Sequence, residues 1–340
     1  MGIFTLFNYT LKNPSLIKQT MNLYDLAREV KSVLKEDKRD IGGVIHKDKV
    51  AFVLVDGLGW NISRGIETSV EPIKIQSVFP SITVTVLATL LTAKRPGEHG
   101  ILGWRIYNRE EGRIVNLMKT LREQSIEFDT FFTNTDSVFL MPEVAAKSLM
   151  NKLRVVPYYT YWDGLYKFKE LLENKPSKFT FFYVPYVDAV SHQYGPYHEA
   201  TTATARDVMK SLDLLATRFK DKYTLLITSD HGHTTINKSV KLWEDIEFMK
   251  EMEFPPYGDA RSLMFKGKRP LSVLKKYGTL YEREEIERLI GGTTNAPDFL
   301  LIPDEGINVV YWKDDMEHTY KGSHGGLTKD EMEIPLYVYE

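Results

Sequence analysis

Residues able to do chemistry recur in this sequence where apolar runs end. Asp188 and His192 lie four apart in DAVSH, a spacing that on one turn of helix puts carboxylate and imidazole on the same face, able to share a metal ion. A solvated helix start shows the same pairing. Asp230 and His231 are adjacent after the apolar run YTLLIT. Strand neighbours point to opposite faces, so these two converge only if the chain leaves strand geometry, which Gly232 permits. Asp56 follows the run VAFVLV in an Asp-Gly pair that would equally suit an ordinary turn. His324 stands between glycines in GSHGG, where a ligand could approach closely but where any tight loop would also fit. The segment FPSITVTVLATLLT brings Ser81, Thr83 and Thr85 to the start of a helix-like stretch. There the free N–H groups and helix dipole stabilise both an alkoxide and an incoming phosphate. Simple N-capping explains such hydroxyls too, and on this ground the three are equivalent. Together, three Asp, three His and a hydroxyl fit two metal ions with a hydroxyl between them, an arrangement used for phosphoryl transfer.

These residues need elements to hold them. Val50–Val55, Lys178–Val187 and Tyr223–Thr228 read as buried strands running into Asp56, Asp188 and Asp230. Thr83–Thr92 reads as a buried helix stopped by Lys94-Arg95-Pro96-Gly97, and Ala200–Phe219 as a long amphipathic one. Strands alternating with helices predict an α/β fold, a three-layer α/β/α core with a mainly parallel sheet, whose ligands sit beyond the carboxyl ends of the strands. Residues 1–45 read as a helical lead-in, with Leu23, Leu26, Val30 and Val33-Leu34 at helical spacing. Residues 46–234 and 321–340 then form the core, ending in a strand over Pro335–Tyr339. Residues 235–320 form an inserted α+β cap lobe with apolar runs at Ser262–Phe265 and Phe299–Ile302 and a charged helical stretch at Tyr281–Ile290.

Composition narrows the chemistry. The chain has 340 residues, 43% of them hydrophobic, which is globular composition. It has no Cys, which excludes a disulfide framework, a thiolate nucleophile and Cys-ligated metal, so any metal must use His, Asp or Glu, and there are eight His. The formal net charge of −2 offers no nucleic-acid surface. The apolar runs are far shorter than a membrane span. The expectation is a cytoplasmic protein with no membrane partner.

The order Asp56, Thr83, Asp188-x3-His192, Asp230-His231, His324 resembles that of the type I phosphodiesterase/nucleotide pyrophosphatase family of the alkaline phosphatase superfamily. Pro80, Ser81, Thr83, Thr89 and Thr92 match the family's pattern around the nucleophile, and Pro96, His99 and Gly100 match its Pro-x-x-His-Gly. DAVSHQYGP (Asp188 to Pro196) resembles its Asp-x3-His-x-Tyr-Gly-Pro. The resemblance implies Thr83 as nucleophile, forming a phosphothreonine between two divalent metal ions, expected to be zinc. One ion would be held by Asp188, His192 and His324, the other by Asp56, Asp230 and His231. The substrate would be a small phosphate ester or nucleotide, cleaved at a phosphodiester or pyrophosphate bond. The positive charge it needs would come from the metal.

Two departures bear on that reading. Thr85-Val86 stands where the family has Pro-Asn, and Val86 has no side-chain donor for a phosphoryl oxygen. Asn61 is the candidate replacement, and Tyr194 a second substrate-binding candidate. The absence of Cys also separates this chain from secreted family members. A phosphomonoesterase, a phosphonoacetate hydrolase and a phosphoglycerate-mutase-like enzyme of the same superfamily are the alternatives, with an inactive binding module more remote. The long segment between His231 and His324 favours the diesterase branch.

Overall fold

Strand β1 (Val50–Val55) is buried along its whole length. Its alternate residues serve two different cores. Val50, Phe52 and Leu54 join one apolar cluster, and Ala51, Val53 and Val55 join another. This is the two-fold alternation of a strand covered on both faces, which is why its sequence reads as a continuous apolar run. In the computed structural model, which describes residues 21–36, 43–119, 129–146, 153–267 and 272–340, β1 is the centre of a seven-stranded sheet. The others are β2 (Ile73–Gln76), β3 (Ser137–Pro142), β4 (Val155–Tyr158), β5 (Phe179–Val184), β6 (Thr224–Thr228) and β11 (Glu333–Tyr339), in the order β2-β11-β6-β1-β5-β3-β4. β11 is antiparallel to both its neighbours, and the pairings among β6, β1, β5, β3 and β4 are parallel.

Helices cover both faces. On one side lie α1 (Leu23–Lys35) and α2 (Thr83–Thr92), contributing Leu23, Leu26, Val30, Val86 and Leu90 to the first core. On the other lie α3 (Tyr161–Asn174), α4 (Tyr186–Tyr194) and α5 (Glu199–Phe219), which add Phe168, Val187, Val208 and Leu212. The three layers agree with the sequence. Of the lead-in over residues 1–45, residues 1–20 and 37–42 lie outside the described residues. The remainder holds α1, whose start is fixed by a capping box between Asn22 and Asp25. Several element ends differ by one or two residues, Tyr281 and Glu282 of the expected helical stretch close a strand over Gly278–Glu282, and the strand expected over Lys178–Val187 stops at Val184. Pro185 follows, and Val187 already belongs to α4, since proline suits the start of a helix and not the middle of a sheet.

Between β6 and β11 the chain builds a four-stranded antiparallel sheet from β7 (Tyr257–Asp259), β8 (Ser262–Phe265), β9 (Gly278–Glu282) and β10 (Phe299–Pro303), with helix α6 (Arg283–Ile290) packed on it. A hairpin from much earlier in the chain, Arg105–Asn108 with Arg113–Asn116, also packs here, with the Tyr107 ring edge-on to Phe254 at 5.3 Å.

A fully buried ion pair ties this lobe to the main core. Arg261, beside β8, donates through Nε and Nη2 to the two carboxylate oxygens of Glu331 at 3.0 and 3.1 Å, with neither side chain exposed. Its Nη1 donates to the carbonyls of Asp304 and Ile307. Glu331 accepts further hydrogen bonds from Gly326 and Thr328 N–H and the Thr328 hydroxyl, so it also shapes the loop that follows His324. Removing one partner of such a pair leaves a buried charge unmatched, at a cost of about 3–5 kcal/mol. Glu331→Gln is therefore expected to lower the free energy of unfolding from denaturant titration by that order, while the exposed-pair variant Glu111→Gln should leave it nearly unchanged. Equal, small shifts for both would show that the pair is not needed.

Candidate active site

The parallel register delivers three aspartates to one edge of the sheet. Asp56 follows β1 and Asp230 follows β6 by two residues. Asp188 lies one turn into α4, just after β5. Backbone bonds fasten these ends together: Asp56 N–H donates to Val184 carbonyl at 2.9 Å, and Asp188 N–H to Asp56 carbonyl at 2.9 Å. Gly57 has φ +75°, and a Cβ there would lie 2.7 Å from Asp188 Cα and 2.8 Å from His233 Cε1. Only glycine permits that approach. Gly232 acts by the same steric logic rather than by an unusual φ, because a Cβ on it would come within 2.2 Å of the Asp330 carbonyl oxygen.

Two ligand groups result. Asp56, Asp230 and His231 form one, and Asp188, His192, His233 and His324 the other; within each, the potential ligand atoms lie within 4.8 Å of one another. His231 Nε2 is 3.3 Å from both Asp56 Oδ1 and Asp230 Oδ2. The Nε2 atoms of His192, His233 and His324 stand 3.2, 3.1 and 3.7 Å from Asp188 Oδ1. The groups adjoin, with the His231 and His324 rings stacked at 3.5 Å between centroids.

The donor set suits metal ions. The inward oxygens Asp56 Oδ1, Asp188 Oδ1 and Asp230 Oδ2 are buried and have no hydrogen-bond partner among the described residues, a state that costs a few kcal/mol per group unless something pairs them. The sister oxygens of Asp56 and Asp230 are occupied: Tyr183 hydroxyl donates to Asp56 Oδ2, and Gly57 and His231 N–H donate to Asp230 Oδ1 at 3.1 and 3.0 Å. The imidazoles are oriented likewise. The Nδ1 atoms of His192, His324 and His231 face the carbonyls of Gly322, Ser81 and Gly232 at 2.8, 2.9 and 3.2 Å. An Nδ1–H donated to a carbonyl leaves the Nε2 lone pair pointing inward, the usual support of a ligating histidine.

Electrostatics tell the same story. Burial, and then the charge of Asp188, push the Asp56 carboxyl up to about 8. Burial and Asp56 push Asp230 well above the carboxylate range. Burial opposes ionisation of Asp188 too, but His192 and His233 outweigh it and hold its carboxyl well below the usual range. Burial also disfavours protonated His192, yet Asp188 and the Gly322 carbonyl raise it to about 9. Burial and the neighbouring imidazoles drop His324 well below its ordinary value.

The three hydroxyls left equivalent by sequence separate here. Thr83 opens α2 and its Oγ1 is 3.2 Å from His231 Nε2. Ser81 points instead to the Gly326 carbonyl at 3.2 Å, and Thr85 is fully buried. The N-cap residue Ile82 supplies no side-chain hydrogen bond to the helix start, so the first N–H groups of α2 stay uncapped beside Thr83. Val86 is fully buried in the core against the sheet. Asn61 donates to the Tyr197 hydroxyl at 3.1 Å, and that hydroxyl in turn donates to Asp330. Tyr194 is half exposed and stacks on His198. Neither Asn61 nor Tyr194 belongs to the two ligand groups. His233 is the residue that sequence reasoning missed. Its signal was alternation: in DHGH it lies two residues after His231, and i, i+2 residues of an extended chain share a face.

Comparison with known proteins gives this geometry a lineage. Residues 51–327 match the type I phosphodiesterase/nucleotide pyrophosphatase family. Ectonucleotide pyrophosphatase/phosphodiesterase family member 7 of Mus musculus is 26% identical over 247 residues, 62% of this chain and 55% of that protein. The Rattus norvegicus counterpart is 26% identical over 254 residues, 63% of this chain and 56% of its own length. The chain thus spans little more than half of these relatives. Murine ectonucleotide pyrophosphatase/phosphodiesterase 5 shares the fold with a TM-score of 0.67 at 20% identity, over 85% of this chain and 87% of that one, and one such structure is an inactive variant in complex with AMP. Phosphonoacetate hydrolase from Sinorhizobium meliloti, in complex with phosphonoacetate, follows with a TM-score of 0.61 at 15% identity, over 86% and 90% of the two chains. With its family match spanning most of its length, the chain belongs to the type I phosphodiesterase/nucleotide pyrophosphatase family.

Proposed function

We propose that the protein is a metal-dependent hydrolase of phosphate esters, acting on phosphodiester or nucleotide pyrophosphate bonds through a phosphothreonine on Thr83. The observation that carries this reading is the Thr83 hydroxyl, 3.2 Å from His231 Nε2 and at an uncapped helix start, beside two adjoining groups of metal-ligand side chains. Asp188, His192 and His324 would hold one ion and Asp56, Asp230 and His231 the other. Two divalent ions there, zinc by expectation, would supply Lewis-acid stabilisation of charge on the attacking and leaving oxygens. Thr83 Oγ1, its proton lost to solvent, would form the new bond to phosphorus while the bond to the leaving oxygen on the opposite side breaks and that oxygen takes up a proton; water would then cleave the Thr83 ester and release the remaining phosphomonoester. The N–H groups that open α2 would bind a phosphoryl oxygen. They stand in for the asparagine that Val86 does not provide, a better-placed source than Asn61, which is engaged with Tyr197. Beside Thr83, Val84 packs with Leu117, Ile101, Trp104 and Ile106, an apolar wall suited to the flat face of a nucleobase. The AMP seen in a structural neighbour supports a nucleotide substrate.

Four measurements test this. Metal analysis should find about two divalent ions per chain, and chelation should abolish turnover, with zinc restoring it. Among nitrophenyl nucleotide ester, bis-nitrophenyl phosphate, nitrophenyl phosphate and phosphonoacetate, the first two should be cleaved fastest; preference for either of the others moves the protein to another branch of the superfamily.

Thr83→Ala should lower kcat by roughly 10³-fold or more with metal content unchanged. Full activity in that variant would move the role to Ser81 or Thr85.

The fourth measurement is the pH dependence of metal stabilisation. With its carboxyl raised to about 8, Asp56 is protonated in the folded metal-free chain where the unfolded chain, near pKa 3.9, is ionised. Stability of that form therefore falls as pH rises from about 4 to 8. His192, raised to about 9, adds stability below its unfolded value that is lost as pH climbs through 9. Metal ions compete with both protons, so the gain in melting temperature on adding zinc should be larger at pH 8 than at pH 5. A gain that does not change with pH would contradict the arrangement.

A further inference from the structure

We propose that His233 is a fourth protein ligand at the metal position built on Asp188, so that this ion is held by one carboxylate and three imidazoles. The inference rests on the two-metal reading above and extends it to a residue that reading does not use. The His233 side chain has no solvent exposure, and neither ring nitrogen has a hydrogen-bond partner among the described residues. A buried imidazole whose Nδ1 has no partner and whose Nε2 meets only one carboxylate oxygen is costly, and native structures seldom keep one without a use. Its Nε2 is 3.1 Å from Asp188 Oδ1, the shortest of the three imidazole approaches to that oxygen. Its ring lies 4.9 Å from that of His192 and 5.1 Å from that of His324, edge-on to both. The nitrogens thus reach one point from three directions, as they would around a single cation.

The backbone is built to bring it there. Thr234 pairs with Ser323 and Thr235 with Gly322 in a short antiparallel ladder, which sets His233 beside His324 although they are far apart in sequence. Gly57 leaves empty the space that the His233 Cε1 fills. One feature separates His233 from the other imidazoles. Their Nδ1 atoms meet the carbonyls of Gly322, Ser81 and Gly232, whereas its own Nδ1 meets no acceptor among the described residues. It is held by packing and by its inward contact alone, so it is the ligand least firmly oriented. Four protein ligands complete a tetrahedral zinc shell, where catalytic sites commonly keep one position open. Substrate contact at this position would therefore raise the ion to five-coordination, which zinc accepts.

Cobalt(II) substitution tests the assignment independently of turnover. In proton NMR, each imidazole bound to cobalt gives one strongly shifted, exchangeable N–H signal. The wild-type chain loaded with two equivalents should show four such signals, from His192, His231, His233 and His324. His233→Gln should show three, with the affinity for one of the two ions weakened about 10–100-fold and the visible cobalt absorption changed. His233→Asn serves as a second variant should the first fold poorly. Three signals in the wild type, unchanged in either variant, would overturn the assignment while leaving the two-metal site intact. Absence of cobalt binding in the wild type would overturn the two-metal reading itself, and this assignment with it.

Discussion

Three carboxylates brought together out of water are the constraint around which this molecule is organised. Asp56 and Asp230 are almost fully buried, Asp188 is close by, and each keeps one oxygen without a hydrogen-bond partner among the described residues. Like charges so placed repel, and burial withdraws the water that would screen them. The chain relieves this only partly: burial and the neighbouring carboxylates raise Asp56 and Asp230 so that they resist ionisation, and imidazoles surround Asp188. Two cations would resolve it fully. The same strain that would make the metal-free fold costly is what would give the loaded site its affinity, because the ligands are already in place.

Holding such a cluster requires a stiff frame. β1 lies between β5 and β6, and the three parallel strands end level with one another, so their aspartates cannot drift apart without breaking the sheet. Each buried aliphatic or aromatic side chain on the two faces contributes about 1.5–3 kcal/mol, and these cores together outweigh the polar cluster at the edge. The remaining histidines come from connections on the same side. His324 is steadied through Ser81, and the loop after it is shaped by Glu331 under the buried Arg261. The lobe is thus joined to the loop that carries one of the imidazoles.

Much of this was legible in the residues. The run VAFVLV is β1 with the same ends, and Thr83–Thr92 is α2 without adjustment, because elements buried on all sides show long apolar runs with sharp polar or Gly/Pro stops. Ser262–Phe265 and the strand from Phe299 were readable for the same reason. The end of β5 was misjudged because Tyr186 and Val187 are as apolar as the strand before them, and only Pro185 marks the change. His233 was passed over because its one signal, the i, i+2 spacing from His231, is shared by any such pair on an extended chain. Arg261 and Glu331 were invisible, since a charged residue looks solvated until its partner is known.

By itself the sequence determined the alternation of strands and helices, the placing of an aspartate after each of three strands, the exclusion of thiolate chemistry and the family's motif order. Periodicity carries the first two within a few residues, composition carries the third, and the motif order is a resemblance to the family read along the chain. Only the tertiary structure decided which hydroxyl lies against the ligand groups, that Val86 faces the core, that Asn61 is engaged with Tyr197, and that four imidazoles rather than three gather at the site. Those outcomes depend on the directions of side chains from segments far apart in the chain, and such directions exist only once the sheet register and the loop contacts have been set.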